Sequence, residues 1–154
     1  MTLPESEMPV FTKRLELKTR GENDVIDITE RVQQAVAESG FDAGVTTVFV
    51  PGSTAAVTTI EFEPGLTHDF PRMLERLAPK NIAYEHQEAW HDDNGRSHVK
   101  ASLVGPSISV PFEGGRLTLG TWQQIVFVEL DIRPRSREVV LQIVGEELSS
   151  RAKT

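Results

Sequence analysis

The chain has 154 residues, of which 38% are hydrophobic and 25% charged, enough for one soluble domain with a buried core. It contains no cysteine, which removes disulfides, thiolate metal sites and cysteine nucleophiles and leaves nitrogen and oxygen as the only metal ligands. A net charge of −7 argues against non-specific nucleic-acid binding, which depends on Lys and Arg neutralising phosphates. No apolar run approaches the roughly 20 residues that span a bilayer. The acidic opening MTLPESEMPV lacks a signal peptide's basic and apolar regions. The expectation is a cytoplasmic protein with no nucleic-acid or membrane partner.

No repeat or linker divides the chain, so residues 10–147 are expected to form a single domain between a flexible arm over 1–9 and a tail over 148–154. From Phe11 to Lys18 apolar and polar residues alternate, with Phe11, Leu15 and Leu17 on one face, which predicts a half-buried strand. Gly21–Asp24 reads as a turn. Thr29 is placed as the N-cap of a short helix in which Val32, Ala35 and Val36 share a face, with Gly40 as its C-cap. Gly44–Val50 is rich in β-branched residues and reads as a strand. The run Pro51–Thr54 interrupts it before extended structure resumes over Ala55–Phe62.

A helical region with Leu66, Phe70, Met73, Leu74 and Leu77 on its apolar side follows. Pro71 removes a hydrogen bond from any helix that contains it, so the spacing predicts one turn near Gly65–His68 and a helix proper capped by Asp69. Ile82–Gly95 reads as irregular loop. Beyond it the pattern predicts strands over His98–Val104, Ser107–Phe112, Arg116–Leu119, Thr121–Leu130 and Glu138–Val144, separated by Gly-Pro, Gly-Gly and Arg-Pro-Arg. In the last two both faces are apolar, so they must be covered on both sides. This order is α+β rather than alternating α/β.

Three of the four histidines fall in HQEAWHDDNGRSH, as His86, His91 and His98, interleaved with Asp92, Asp93 and Asn94; the fourth, His68, stands seven residues after Glu61. Imidazoles and carboxylates are the main ligands for divalent metals and the main proton carriers near neutral pH. Two or three of these histidines with Glu61 or Asp92 could hold a metal and leave a position open for water or substrate. The spacings match no strong metal signature, and each histidine read alone is as well explained as a surface or hydrogen-bonded residue. With His98 opening a strand, the loop carrying His86 and His91 has to fold back over it for the three to meet. Gly52, Ser53 and Thr54, after a strand, could present N–H groups and hydroxyls to a phosphate, or form an ordinary turn. Trp122 and Gln123 could stack on and hydrogen-bond a ring, or be a core tryptophan and its neighbour. Arg133, Arg135 and Arg137 alternate near the end of the chain, as a solvated strand edge or as a phosphate-contacting cluster.

Taken in order, the stretches GSTAAVTTIEFEPGLTHDF, YEHQEAWHDDNGRSHVKASLVGPSISVPFEGGRLTLGTWQQI and the terminal strand ending in VGE resemble the YjbQ-like family of secondary thiamine-phosphate synthase enzymes. The similarity runs from about Phe11 to Glu146. Glu61, His68-Asp69, Tyr84, His86, Asp92-Asp93, Ser97-His98 and Gly120–Gln123 fall on the family's pattern; a histidine of that pattern is replaced by Gly52, as in a branch of the family that reads PGSTA. His91 lies outside the pattern, either replacing the missing histidine or simply solvated. The resemblance implies a compact α+β domain with a mixed or antiparallel β-sandwich and two to three helices, assembled as a homotrimer with sites near subunit boundaries. It further implies metal-dependent joining of a pyrimidine diphosphate to a thiazole phosphate. On that reading His68, His86 and His98 hold a zinc or magnesium ion, with Glu61 or Asp92 as further ligand or general base. Gly52, Ser53, Thr54, Arg133 and Arg135 receive a phosphate, and Trp122 and Gln123 shape the pocket. The rival is a trimer that binds a metal or a phosphorylated small ligand without turnover.

Overall fold

In a computed structural model the described residues are 8–147. The predicted tail and all but the last two residues of the predicted arm lie outside them. The elements run β1 (Val10–Lys18), β2 (Asp24–Asp27), α1 (Thr29–Ser39), β3 (Phe41–Phe49), β4 (Ala55–Ile60), α2 (Pro64–Leu77), α3 (His86–Trp90), α4 (Gly95–Val104), β5 (Ser107–Glu113), β6 (Arg116–Leu117), β7 (Gln124–Glu129) and β8 (Ser136–Glu147). Every strand pairing is antiparallel, in a five-stranded sheet ordered β1-β8-β3-β5-β6 and a three-stranded sheet ordered β2-β7-β4. The α+β expectation holds.

Strand β7 organises the layers. Ile125 and Phe127 point into a core shared with Leu15, Val48, Leu141 and the buried face of α1, Val32, Ala35 and Val36. Val126 and Val128, on its other face, pack with Ala56 and Leu130 against Leu74 of α2 and Ala101 of α4. The doubly apolar pattern read from the sequence therefore has a five-stranded sheet and a helix on one side of β7 and two helices on the other.

Several sequence expectations need correction. Helix α1 begins at Thr29 itself; Asp27 Oδ1 accepts from the Thr29 backbone N–H at 2.9 Å and hydroxyl at 2.6 Å, and Gly40 ends the helix at φ 72° as expected. The turn at Gly21–Asp24 runs into β2, too short to show a period. Helix α2 is continuous from Pro64 through Pro71, and its cap is Glu63, whose carboxylate accepts from the backbone N–H groups of Gly65 and Leu66. Burial of Pro71 and Leu74 offsets the hydrogen bond lost at the proline. The expected loop over Ile82–Gly95 contains the short helix α3, and the expected strand over His98–Val104 is helix α4.

Helix α4 is inside out. It buries Arg96, Ser97 and Lys100 and exposes Val99 and Leu103. The alternation HVKASLV mimics a strand, yet the decisive contacts are ionic. The Arg96 guanidinium donates to both oxygens of Glu22 at 2.8 and 2.9 Å, and Lys100 Nζ, wholly buried, donates to Glu75 Oε2 at 2.9 Å. The Lys80 backbone N–H holds the Glu75 carboxyl below its ordinary value against the opposing effect of burial, with Lys100 assisting. Removing Glu22 would leave Arg96 buried and unpaired, so Glu22→Ala is expected to lower unfolding free energy by about 3–5 kcal/mol in urea titrations; a loss below about 1 kcal/mol would show that Arg96 finds water instead.

Candidate functional site

The N-terminal end of α4 meets the edge of the sandwich where β3 passes to β4 and β7 to β8. His86 opens α3 and His98 lies in the first turn of α4, their ring centroids 4.4 Å apart and tilted by 51°. Asp92 sits between two residues in left-handed backbone, His91 at φ 55° and Asp93 at φ 56°. Such conformations persist where neighbours fix them: Gln87 Oε1 accepts from the Asp93 N–H at 2.6 Å, and Arg96 Nη1 donates to the Asp93 carbonyl at 3.1 Å. The bend presents Asp92 Oδ1 to His86 Nε2 at 3.4 Å.

Asn94 occupies the N-cap position of α4 yet makes no capping hydrogen bond. With its amide turned so that Nδ2 faces them, it donates to His86 Nε2 at 3.1 Å and to Asp92 Oδ1 at 2.9 Å. A single imidazole nitrogen thus faces both a donor and an acceptor. Neutral, Nε2 can accept from Asn94; protonated, it stands within ion-pair distance of the Asp92 carboxylate. Close packing holds this corner, because a Cβ on Gly95 would stand 2.6 Å from the Cβ of Tyr84.

The Asn94 amide also lies against Asp131, which belongs to a buried network. Arg137 Nε and Nη2 donate to Glu129 at 2.8 Å each, and Nη2 donates to the Thr54 hydroxyl at 2.8 Å. That hydroxyl donates to Asp131 Oδ2 at 3.3 Å, and Arg135 Nη1 donates to the same oxygen at 2.6 Å. Burial pushes the Asp131 carboxyl up, but the Ile132 backbone N–H, Arg135 and Thr54 outweigh it and hold the group below its ordinary value. Burial pushes the Glu129 carboxyl up despite the opposing Arg137.

The residues singled out from the sequence divide between the two ends of β4. His86, His98, Asp92, Thr54 and Arg135 gather at its start, with Gly52 and Ser53 in the exposed loop leading into it. Glu61 follows its far end, roughly 20 Å away at ~3.3 Å per residue, and the exposed His68 sits on α2 just beyond. Trp122 is 73% exposed near that far end, where Gln123 braces a turn by accepting from Gly120 N–H at 3.1 Å and donating to the Thr59 hydroxyl at 3.2 Å. Arg133 is exposed, and His91 caps α3 at the surface. His68 Nδ1 lies 3.9 Å from Asp69, its own neighbour. Among the described residues no three His, Asp or Glu side chains are arranged to hold a metal ion. Within one chain the three histidines therefore do not form the metal-holding set expected of them.

Asn94, Glu129, Asp131 and Arg137 complete the arrangement; sequence reasoning offered Arg137 only as one of three alternating arginines and gave the other three no site role. Glu129 and Asp131 carried a signal, being acids embedded in the apolar run IVFVELDI.

Residues 13–146 match the family described as UPF0047 protein YjbQ-like. The chain belongs to this family. A UPF0047 protein of Archaeoglobus fulgidus is 40% identical over 83% of this chain and 97% of its own length, and YugU of Bacillus subtilis is 36% identical over 86% and 98%. A crystal structure of a YbjQ-like protein of unknown function from Sulfolobus solfataricus superposes with a TM-score of 0.85 at 33% identity, covering 91% of this chain and all of that one. A family protein from Clostridium acetobutylicum gives 0.77 at 41% identity, covering 85% of this chain and 98% of its own. None of the described helices is long and apolar enough to cross a membrane.

The depressed Asp131 carboxyl has a signed consequence. Because its folded value lies below the ordinary 3.8, its contribution to stability is present above that pH and lost as pH falls through the folded value. Asp131→Asn is expected to show a constant stability deficit between about pH 7 and 5 that shrinks below pH 3.8 in urea unfolding series. A deficit that keeps the same size into strong acid would refute the assignment.

Proposed function

We propose that this UPF0047 protein is a transferase acting on phosphorylated small molecules, with His86 as the proton carrier. The observation that carries the reading is the double address of His86 Nε2, which Asn94 serves when it is neutral and Asp92 when it is charged. The specific reaction, taken from the resemblance, joins a pyrimidine diphosphate to a thiazole phosphate. The thiazole nitrogen forms a bond to the pyrimidine's methylene carbon as the carbon–oxygen bond to diphosphate breaks. The proton on His86 passes to the departing oxygen, and Asp92 steadies the imidazolium before transfer. General acid help of this kind contributes about 10²–10⁴-fold. His98, packed on His86, shapes the approach from the side of α4.

Two features support a homotrimer with sites at subunit boundaries. Val99 and Leu103 stand exposed beside His98 on α4, and Leu66, Met73 and Leu77 stand exposed on α2, an apolar surface that another copy would cover. The second group of candidate residues, Glu61, His68 and Trp122, lies exposed at the far end of β4 from its own chain's His86 and His98 and is available to complete a neighbour's site.

The test is turnover of the two thiamine precursors by purified protein, with chelator present. His86→Ala and Asp92→Asn are expected to lower kcat by about 10²–10⁴-fold while the fold persists by circular dichroism. Unchanged turnover in His86→Ala sinks the proton-carrier role, and a change in ligand affinity with no turnover in any sample favours the binding-only trimer.

Assembly is tested separately. Leu103→Asp is expected to shift the mass measured by light scattering from trimer to monomer and to abolish turnover with it. Coexpression of His86→Ala with Glu61→Ala chains is expected to restore part of the activity that each lacks alone. A Leu103→Asp protein that keeps its mass would remove α4 from the interface.

A further inference from the structure

Arg137 is the most deeply placed cation of the site, its side chain only 6% exposed, and its hydrogen bonds are unevenly distributed. Nε and Nη2 take all those it makes among the described residues, to both oxygens of Glu129 and to the Thr54 hydroxyl. A guanidinium has five N–H donors, and the pair on Nη1 is unused. That amino group is aimed at the loop before β4, where a Cβ built on Gly52 would stand 3.3 Å from it. The backbone N–H groups of Gly52 and Ser53 also make no hydrogen bond among the described residues.

We infer that Arg137 Nη1, with the N–H groups of Gly52 and Ser53, receives the phosphate or diphosphate group of the substrate, and that glycine at position 52 leaves the room for it. This rests on reading the site as one for phosphorylated molecules, and it moves the anion contact from Arg133 and Arg135 to a residue that the sequence offered only as part of a basic run. Arg135 is engaged with Asp131, and Arg133 is exposed.

Three physical arguments converge. Arg137 Nη1 has no protein acceptor among the described residues and is not sealed from solvent, so its donors are open to an incoming oxyanion. Charge-assisted bonds from a guanidinium held rigidly by Glu129 and Thr54 need no reorganisation when the anion arrives. Gly52 adopts φ 138°, a conformation that side chains rarely take, so the loop is shaped for glycine at the point of closest approach. Thr19 N–H donates to the Arg135 carbonyl at 2.8 Å, which brings Lys18 beside Arg133 at this edge, while Arg20 and Arg135 are engaged with Asp24 and Asp131.

Calorimetric titration of the full chain with inorganic pyrophosphate, in chelator so that no metal bridges the two, tests the inference without needing turnover. The wild-type protein is expected to bind. Gly52→Ala and Arg137→Lys are expected to weaken binding about tenfold or more, the scale of one charge-assisted hydrogen bond. Arg133→Ala is expected to weaken it less than about threefold, since an exposed cation contributes little. Should Arg137→Lys fail to fold, Gly52→Ala decides alone, because it alters no core side chain. Absence of binding by the wild type, or equal binding by Gly52→Ala, overturns the inference. If pyrophosphate binds and Gly52→Ala loses it while no precursor is turned over, the anion site stands and the transferase reading falls.

Discussion

The buried pairing of Arg137 with Glu129 is the interaction on which the arrangement of the site depends. Arg137 belongs to β8 in the five-stranded sheet and Glu129 to β7 in the three-stranded sheet, so two bonds of 2.8 Å tie the layers together at one edge. Two ions with so little exposure are tolerated only when they are paired and hydrogen-bonded. Matching them recruits Thr54 at the head of β4, and Thr54 in turn recruits Asp131. The edge of a sandwich thereby becomes a rigid polar floor, and the helical part of the chain delivers its histidines onto that floor.

Helix α4 makes the delivery, and its inverted burial explains how. An ordinary surface helix would turn Val99 and Leu103 inward and leave Arg96 and Lys100 in water. Here Glu22 and Glu75 draw the cations inward, which rotates the helix so that Asn94 reaches the floor and His98 meets His86. The same rotation leaves apolar side chains facing outward beside an imidazole. One set of ion pairs thus accounts both for the placing of His98 against His86 and for the exposure of Val99 and Leu103.

Much of the scaffold was legible because it follows from local periodicity. The alternation at Leu15 and Leu17, the shared face of Val32, Ala35 and Val36, and the doubly apolar run from Ile125 to Leu130 all lie where hydrophobic burial alone would put them. The errors fall where an ionic or covalent constraint overrides that rule. The strand expected at His98–Val104 is a helix because its buried cations, Arg96 and Lys100, find the partly exposed acids Glu22 and Glu75. The helix expected to start at Asp69 starts at Pro64 because Glu63 caps it and burial outweighs the loss at Pro71.

The histidine-rich segment does bring His86, Asp92 and His98 together. It could not show that Glu61 and His68 stand a strand's length away, because sequence order does not record which end of β4 faces which helix. Nor could it separate Arg137 from Arg133 and Arg135, three arginines at alternate positions whose burial differs only once β8 lies over β7. The sequence by itself determined the composition of the chemistry: imidazole, carboxylate and guanidinium in an acidic, cysteine-free α+β domain. The tertiary structure decided which of those groups share a site, because pairing of buried charges depends on distances between elements far apart in the chain, and those distances exist only after packing.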